Sequence, residues 1–420
     1  MKRYFRKSSR LATLVVTGLM LFACSSDDDA VNDQGDDTLV ELPPIMLDCD
    51  YFNEDRVLTN DLQRPLDYVI SCWSSVEGSL KIEPGVVIAF ENHAGLYVNL
   101  DDNLFEIKGT ATDPVILTGT SEQNGYWRGV FFADAHNPNN LIEHTIIEYA
   151  GSQNLTTTSP IYEGSLALRG VSGTDPQALT LNHVEISHGG SVGLDYHGVT
   201  KDFNVETSNL VITGNADVPV KVTAEMAHIF NNTSSYAGNA RDFLNVTTSY
   251  YEIEEQSVTW QKLDVPYLVE GRVHGKKDGH LVIEAGVEML FKPGAYLQFS
   301  PMLPTQSTSF KIQGTASDPV HLKPYNDESW GGIYWGYTDE MSSIDHAIIE
   351  KAKGDFPVGN IENTGAIYMW AKPYLTVSNT IFKDLQNCAF YDGTGYDFDN
   401  VTVSNVTFDN VAGEIYCLPE

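Results

Sequence analysis

Positive charge is scarce in this sequence. Of 420 residues, 25 are Lys or Arg against 57 Asp or Glu, a formal net charge of −32. Such a polyanion repels phosphate backbones and anionic membrane surfaces, which excludes nucleic acid as an expected partner. Helical periodicity is missing too: from Ile45 onward no stretch places apolar residues at the spacing of an amphipathic helix. The short catalytic signatures are also wanting. We find no Ser/His/Asp nucleophile elbow, no CxxC pair and no phosphate-binding Gly loop.

What is present is repetition. Leu80–Phe90, LKIEPGVVIAF, returns as Leu281–Phe291, LVIEAGVEMLF, with 6 of 11 positions identical. FEIKGTATDPVIL (105–117) returns as FKIQGTASDPVHL (310–322). Trp127-x-Gly129-Val130 returns as Trp330-x-Gly332-Ile333, and IEHTIIEYA (142–150) as IDHAIIEKA (344–352). The offsets are 281 − 80 = 201, 310 − 105 = 205, 330 − 127 = 203 and 344 − 142 = 202, so the chain carries an internal duplication of about 200 residues. The repeated block reads as β structure. Leu80 and Ile82 alternate, Pro84-Gly85 supplies a type II turn, and Val86, Ile88 and Phe90 alternate again.

A shorter period lies inside the long one. Ile142-x-x-Thr145-x-Ile147, Leu181-x-x-Val184-x-Ile186, Thr207-x-x-Leu210-x-Ile212, Ile344-x-x-Ala347-x-Ile349, Val377-x-x-Thr380-x-Phe382 and Val403-x-x-Val406-x-Phe408 share one form. Each is an inward residue, a two-residue corner and an alternating strand. Corners recur every 26 residues (183 to 209, 379 to 405), stretching to 33 or 39 where a loop is inserted. One corner per rung predicts an all-β parallel β-helix, a solenoid. The segment 219–267 keeps short β runs, so the first half, 46–265, and the second, 266–420, are expected to form one solenoid or two closely stacked halves. On the order of 15 rungs at about 4.8 Å gives a rod of roughly 70 Å.

The N-terminus reads as an address. Lys2, Arg3, Arg6, Lys7 and Arg10 precede an apolar run from Leu11 to Ala23, too short to span a bilayer. Leu21-Phe22-Ala23-Cys24 matches a bacterial lipoprotein signal, with 1–23 removed and Cys24 lipidated. The charge of the mature chain is then −32 − 5 = −37. Residues 24–45 are acidic and poor in apolar side chains, a flexible tether between lipid and fold.

With these runs together, LxIEPGVxIxF, GTATDPVxL, WxGV and HTIIEYAG, the chain resembles the right-handed parallel β-helix lipoproteins of Bacteroidota-type surfaces over nearly all of 65–420. The acidic run after Cys24 resembles their surface-export signal. The resemblance implies the fold and a place on the outer membrane, anchored by lipid and facing the exterior. It carries over no functional residues.

Three sets of residues invite a chemical reading. His144, His183 and His346 each stand beside an acidic or amide residue, but Asn209, Asn379 and Asn405 hold the same place in other rungs. His and Asn share tolerance of left-handed backbone, so these positions are expected to be corners, not metal ligands. Trp127 and Trp330 are equivalent aromatics that either pack inside a rung or stack on a sugar. Acidic pairs (Asp101-Asp102, Asp397 and Asp399, Glu254-Glu255) are frequent, as 57 carboxylates make unavoidable. Polygalacturonases of this fold carry an NTD, DD, GHG and RIK series; His188–Gly190 (HGG) is a poor substitute. The RxPxxR run of pectate lyases is absent. No catalytic residue, no metal site and no cofactor are expected; Ca²⁺ suits the charge, but no motif calls for it.

Four cysteines remain after Cys24. They allow three pairings, and an exported location favours disulfides. A rod of the length above separates Cys49 and Cys72 from Cys388 and Cys417, and a bridge needs Cα atoms within about 7 Å. Cys49–Cys72 and Cys388–Cys417 are the pairs expected. The functional expectation is a surface-anchored monomer with a non-catalytic binding, adhesion or structural role, its partner a glycan or a surface protein. The alternative is a polysaccharide lyase or glycoside hydrolase on the same fold.

Overall fold

The computed structural model describes residues 41–169, 177–198, 203–248, 252–300, 306–336, 338, 342–370, 373–394 and 398–419. The signal segment, Cys24, most of the tether and Asp397 lie outside the described residues. Within them are 36 short strands and four 3₁₀ turns, with no α-helix. No helix there is long and apolar enough to cross a membrane.

The chain is a parallel β-helix. Two of its sheets have 13 and 11 strands and two have six. Each strand pairs in parallel with the strand one coil later: Leu80–Ile82 with Phe105–Lys108, and Gly279–Glu284 with Thr308–Gln313. Parallel pairing in register stacks like on like. Leu58, Ile82, Ile107, Ile142 and Leu181 form one inward column. Trp260, Ile283, Ile312, Ile344 and Val377 form its counterpart in the second copy. All ten are fully enclosed, and each such aliphatic side chain contributes about 1.5–3 kcal/mol. Most of the buried apolar side chains, from Leu47 to Phe390, belong to one continuous core. The longest sheet, at 13 strands, makes the rod roughly 60 Å long, shorter than the expected 70 Å.

The bend at Pro84-Gly85 has the expected left-handed glycine, φ +78°, and its copy at Gly286 has +74°. A Cβ at Gly286 would fall 2.4 Å from the Asp318 carboxylate, so glycine is required there by space as well as by φ.

The copies are not stacked face to face. By sequence, Val87–Phe90 corresponds to Glu288–Phe291, and Gly95–Asn99 to Tyr296–Phe299. Yet the 13-stranded sheet that crosses the join runs from Gly95–Asn99 through Leu244–Thr247 and Tyr267–Val269 to Glu288–Phe291. The third side of the first copy thus continues as the second side of the second copy. Tyr296–Phe299 is the second strand of a separate six-stranded sheet that runs from Arg272–Gly275 to Tyr416–Cys417.

The cysteines pair locally. Cys49–Cys72 and Cys388–Cys417 are disulfides with Cα atoms 5.9 and 6.2 Å apart. Each ties the first or last described rung to its neighbour. At the C-terminal end Val401, Val403 and Phe408 point toward the core but stay only half-buried.

Candidate binding surface

The corner histidines sit where the sequence places them. His144, His183 and Asn209 have φ +44°, +52° and +54°, and His346, Asn379 and Asn405 have +49°, +49° and +50°. The His144 and His183 rings stack 4.5 Å apart, one rung above the other. Asparagines continue the ladder: Asn379 Nδ2 donates to Asp345 Oδ1 at 2.9 Å and Asn405 Nδ2 to Asn379 Oδ1 at 2.5 Å. Beside the stacked histidines runs a shallow open groove lined by Thr110, Pro114, Glu185 and Val211.

Of the two readings open for them, Trp127 and Trp330 follow the structural one, and stacking on a ligand is corrected. They are 0% and 1% exposed. Trp127 lies on Phe90 and Trp330 on Phe291, and their indole N–H groups donate to the carbonyls of Glu148 and Glu350. Equivalence between the copies was the mark of a packing role, because both copies must fill the same core.

Carboxylates and a base do converge at one place, on the outer face of the 13-stranded sheet. Lys221 Nζ donates to Glu163 Oε1 at 3.0 Å, and the Glu163 backbone N–H donates to Asp195 Oδ2 at 3.0 Å. His197 Nδ1 contacts Asp195 Oδ1. Burial alone would lower the Lys221 pKa, but Asp195 and Glu163 outweigh it and hold it above the ordinary lysine value. A lysine kept protonated is no general base at neutral pH. Gly189–Gly193, GGSVG, does spell the letters of a nucleophile elbow, a match the sequence reading passed over. Ser191 Oγ, however, donates to Glu163 Oε2 at 3.1 Å rather than to an imidazole.

Other cations are tied in the same way, mostly to carboxylates one coil away. Lys292 holds Glu270, Lys323 holds Glu288 and Lys383 holds Glu350. Arg272, His274 and Lys276 converge on Glu252. Of the paired acids singled out above, Glu255 meets Lys277 at 2.7 Å and Glu254 meets Lys276 at 3.7 Å. Asp101 lies near Asp134 and His136.

An aromatic cluster lies on the outer face of the C-terminal six-stranded sheet, where Phe356 covers Tyr334 and Tyr368 so that they are only 7% and 5% exposed. Parallel register sets Tyr334, Tyr368 and Tyr391 in one row. Their rings stack with centroids 5.2 and 5.6 Å apart. Phe356, from the loop after Ala347–Glu350, packs edge-on against Tyr334 at 5.7 Å. Burial, then the neighbouring Tyr368 and Tyr296, pushes the Tyr334 hydroxyl up to about 12. Two residues beyond Tyr368, strand alternation carries Trp370 to the same face, and it is 45% exposed. Tyr374 is 43% exposed. Both residues are bonded through their backbone: Trp370 N–H donates to Trp335 O at 2.6 Å, and Thr338 Oγ1 donates to Tyr374 O at 3.0 Å. The first copy carries its own aromatic cluster of Trp73, Tyr97, Phe131 and Tyr162, with Phe131 at the place of Tyr334. Trp370 has no aromatic counterpart there, since Arg169 holds its place. The run Ile367–Tyr374, IYMWAKPY, was the available signal: aromatics that break the duplication.

No family model, curated protein or solved structure matches this chain.

Proposed function

We propose that this chain is a lipid-anchored protein of the outer cell surface that binds a glycan without covalent chemistry. The observation that carries the reading is the exposure of Trp370 and Tyr374, each more than two-fifths exposed, next in sequence to strands that carry stacked tyrosines. An exposed aromatic held at the end of a strand, as Trp370 is by its bond to the Trp335 carbonyl, offers a flat apolar face to the C–H face of a sugar. The unbalanced acidic charge favours a neutral or cationic glycan over an anionic one. The protonated state of Lys221 counts against lyase chemistry, which needs a base. The anchor and its outward orientation rest on the basic start, Cys24 after Ala23 and the acidic tether.

A glycan array combined with a polysaccharide-cleavage assay on residues 41–420 tests this. Binding that Trp370→Ala weakens at least tenfold, with no cleavage, is the expected result. Cleavage that Lys221→Met abolishes would install the lyase alternative in its place.

A further inference from the structure

On the first copy, far in sequence from the aromatic face, a different set of side chains converges. Asp101, Asp134 and His136 each present one ligand-type atom, all within 4.8 Å of one another. Two adjacent rungs supply them. Asp101 lies in the turn after Gly95–Asn99, with φ +52°. Asp134 ends the strand Gly129–Asp134, where a register shift after Phe132 brings it opposite Asn99. Such irregularities re-aim a side chain that regular pairing would point elsewhere.

The backbone fixes this arrangement. His136 N–H donates to the Asp101 carbonyl at 2.7 Å, and Leu100 N–H to the Asp134 carbonyl at 2.8 Å. Asn137 Nδ2 donates to the Asp102 carbonyl at 2.9 Å. Three hydrogen bonds thus lace the two turns together around the side chains.

The acids are brought close to each other as well as to the imidazole. Asp134 Oδ1 lies 2.6 Å from His136 Nε2, and the Asp134 side chain as a whole is 36% exposed. Two carboxylates held this close repel each other. A cation bound between the imidazole nitrogen and the two carboxylates would offset that repulsion.

We propose that Asp101, Asp134 and His136 bind a divalent transition ion of the Zn²⁺ class. One imidazole nitrogen with two carboxylate oxygens suits Zn²⁺ and Co²⁺, whereas Ca²⁺ and Mg²⁺ prefer oxygen alone. Three protein ligands leave a coordination position for water. The ion would clip the two turns together at the edge of the rod.

The test uses the purified protein, stripped with a chelator and titrated with Zn²⁺ by calorimetry and with Co²⁺ by visible absorption. One equivalent is expected, with d–d bands for Co²⁺. His136→Ala and Asp134→Asn should each weaken Zn²⁺ at least tenfold with unchanged circular dichroism. The double variant His144→Asn/His183→Asn should bind as the parent does, which separates this site from the stacked surface histidines. Uptake unaffected by His136→Ala, or none by the parent, overturns the proposal. Should the variants lose their fold, diethyl pyrocarbonate labelling of the parent decides: Zn²⁺ should shield His136, and equal labelling with and without Zn²⁺ counts against the site.

Discussion

Trp127 lies flat on Phe90, ring centroids 4.1 Å apart and planes within 7°. The second copy repeats the pair as Trp330 on Phe291, 3.9 Å apart at 13°. Two such sandwiches, each closed by an indole hydrogen bond to a backbone carbonyl, are core joints between rungs. Trp127→Ala or Trp330→Ala should cost about 3–5 kcal/mol in denaturant unfolding. Trp370→Ala, on the surface, should stay within about 0.5 kcal/mol of the parent. Equal losses for all three would contradict the division between packing and display.

The corners give a sharper test. His144→Asn should be nearly silent in stability, because Asn accepts the φ of +44° found there. His144→Val places a β-branched residue in left-handed backbone and should lose about 1–2 kcal/mol. Thermal denaturation of the two variants side by side measures the difference; a silent Val variant would mean that the corner is not constrained.

Corners and core were legible in the sequence because parallel stacking turns structure into repetition. Every rung needs the same inward residues and the same left-handed corner, so Ile142, Leu181, Ile344 and Val377 announce themselves by spacing. The exposed Trp370 and the Asp101–Asp134–His136 group were not legible, because neither is repeated in the other copy. Trp370 departs from the repeat. Asp134 meets His136 and Asp101 only through a register shift and a turn, neither of which leaves a mark in the letters.

Reduction of the disulfides should loosen the ends and spare the middle. The bridges close loops with sequence separations of 23 and 29. Each is worth roughly 3 kcal/mol in the chain-entropy model. Hydrogen exchange after reduction should speed up in 45–76 and 388–417 while 80–300 keeps its protection. Uniform acceleration along the chain would show instead that the rod unfolds as one cooperative block.

Acid should act through Glu252. Burial raises its pKa, but hydrogen bonds from His274 and Lys276 outweigh that and bring it from 4.5 down to about 2. A folded-state pKa below the unfolded value means that the carboxylate stabilises the fold above about pH 4.5 and that this contribution is lost as pH falls toward 2. Glu252→Gln should therefore flatten stability against pH across that window and leave Arg272 and Lys276 facing a neutral amide at pH 7. A parent and variant with parallel acid profiles would remove Glu252 from the account.

Export is tested at Cys24. Cys24→Ala should accumulate unprocessed precursor that takes up no labelled fatty acid. Acylation of the variant would rule out this residue as the anchor.

The sheet that passes from the third side of the first copy to the second side of the second copy shows that duplication in sequence is not translation in space. The copies share one continuous sheet without occupying the same side of it. Segments related by about 200 positions can therefore belong to different sheets: Val87–Phe90 lies in the 11-stranded sheet and Glu288–Phe291 in the 13-stranded one. A substitution on the outer face of the 13-stranded sheet probes a third side in one copy and a second side in the other.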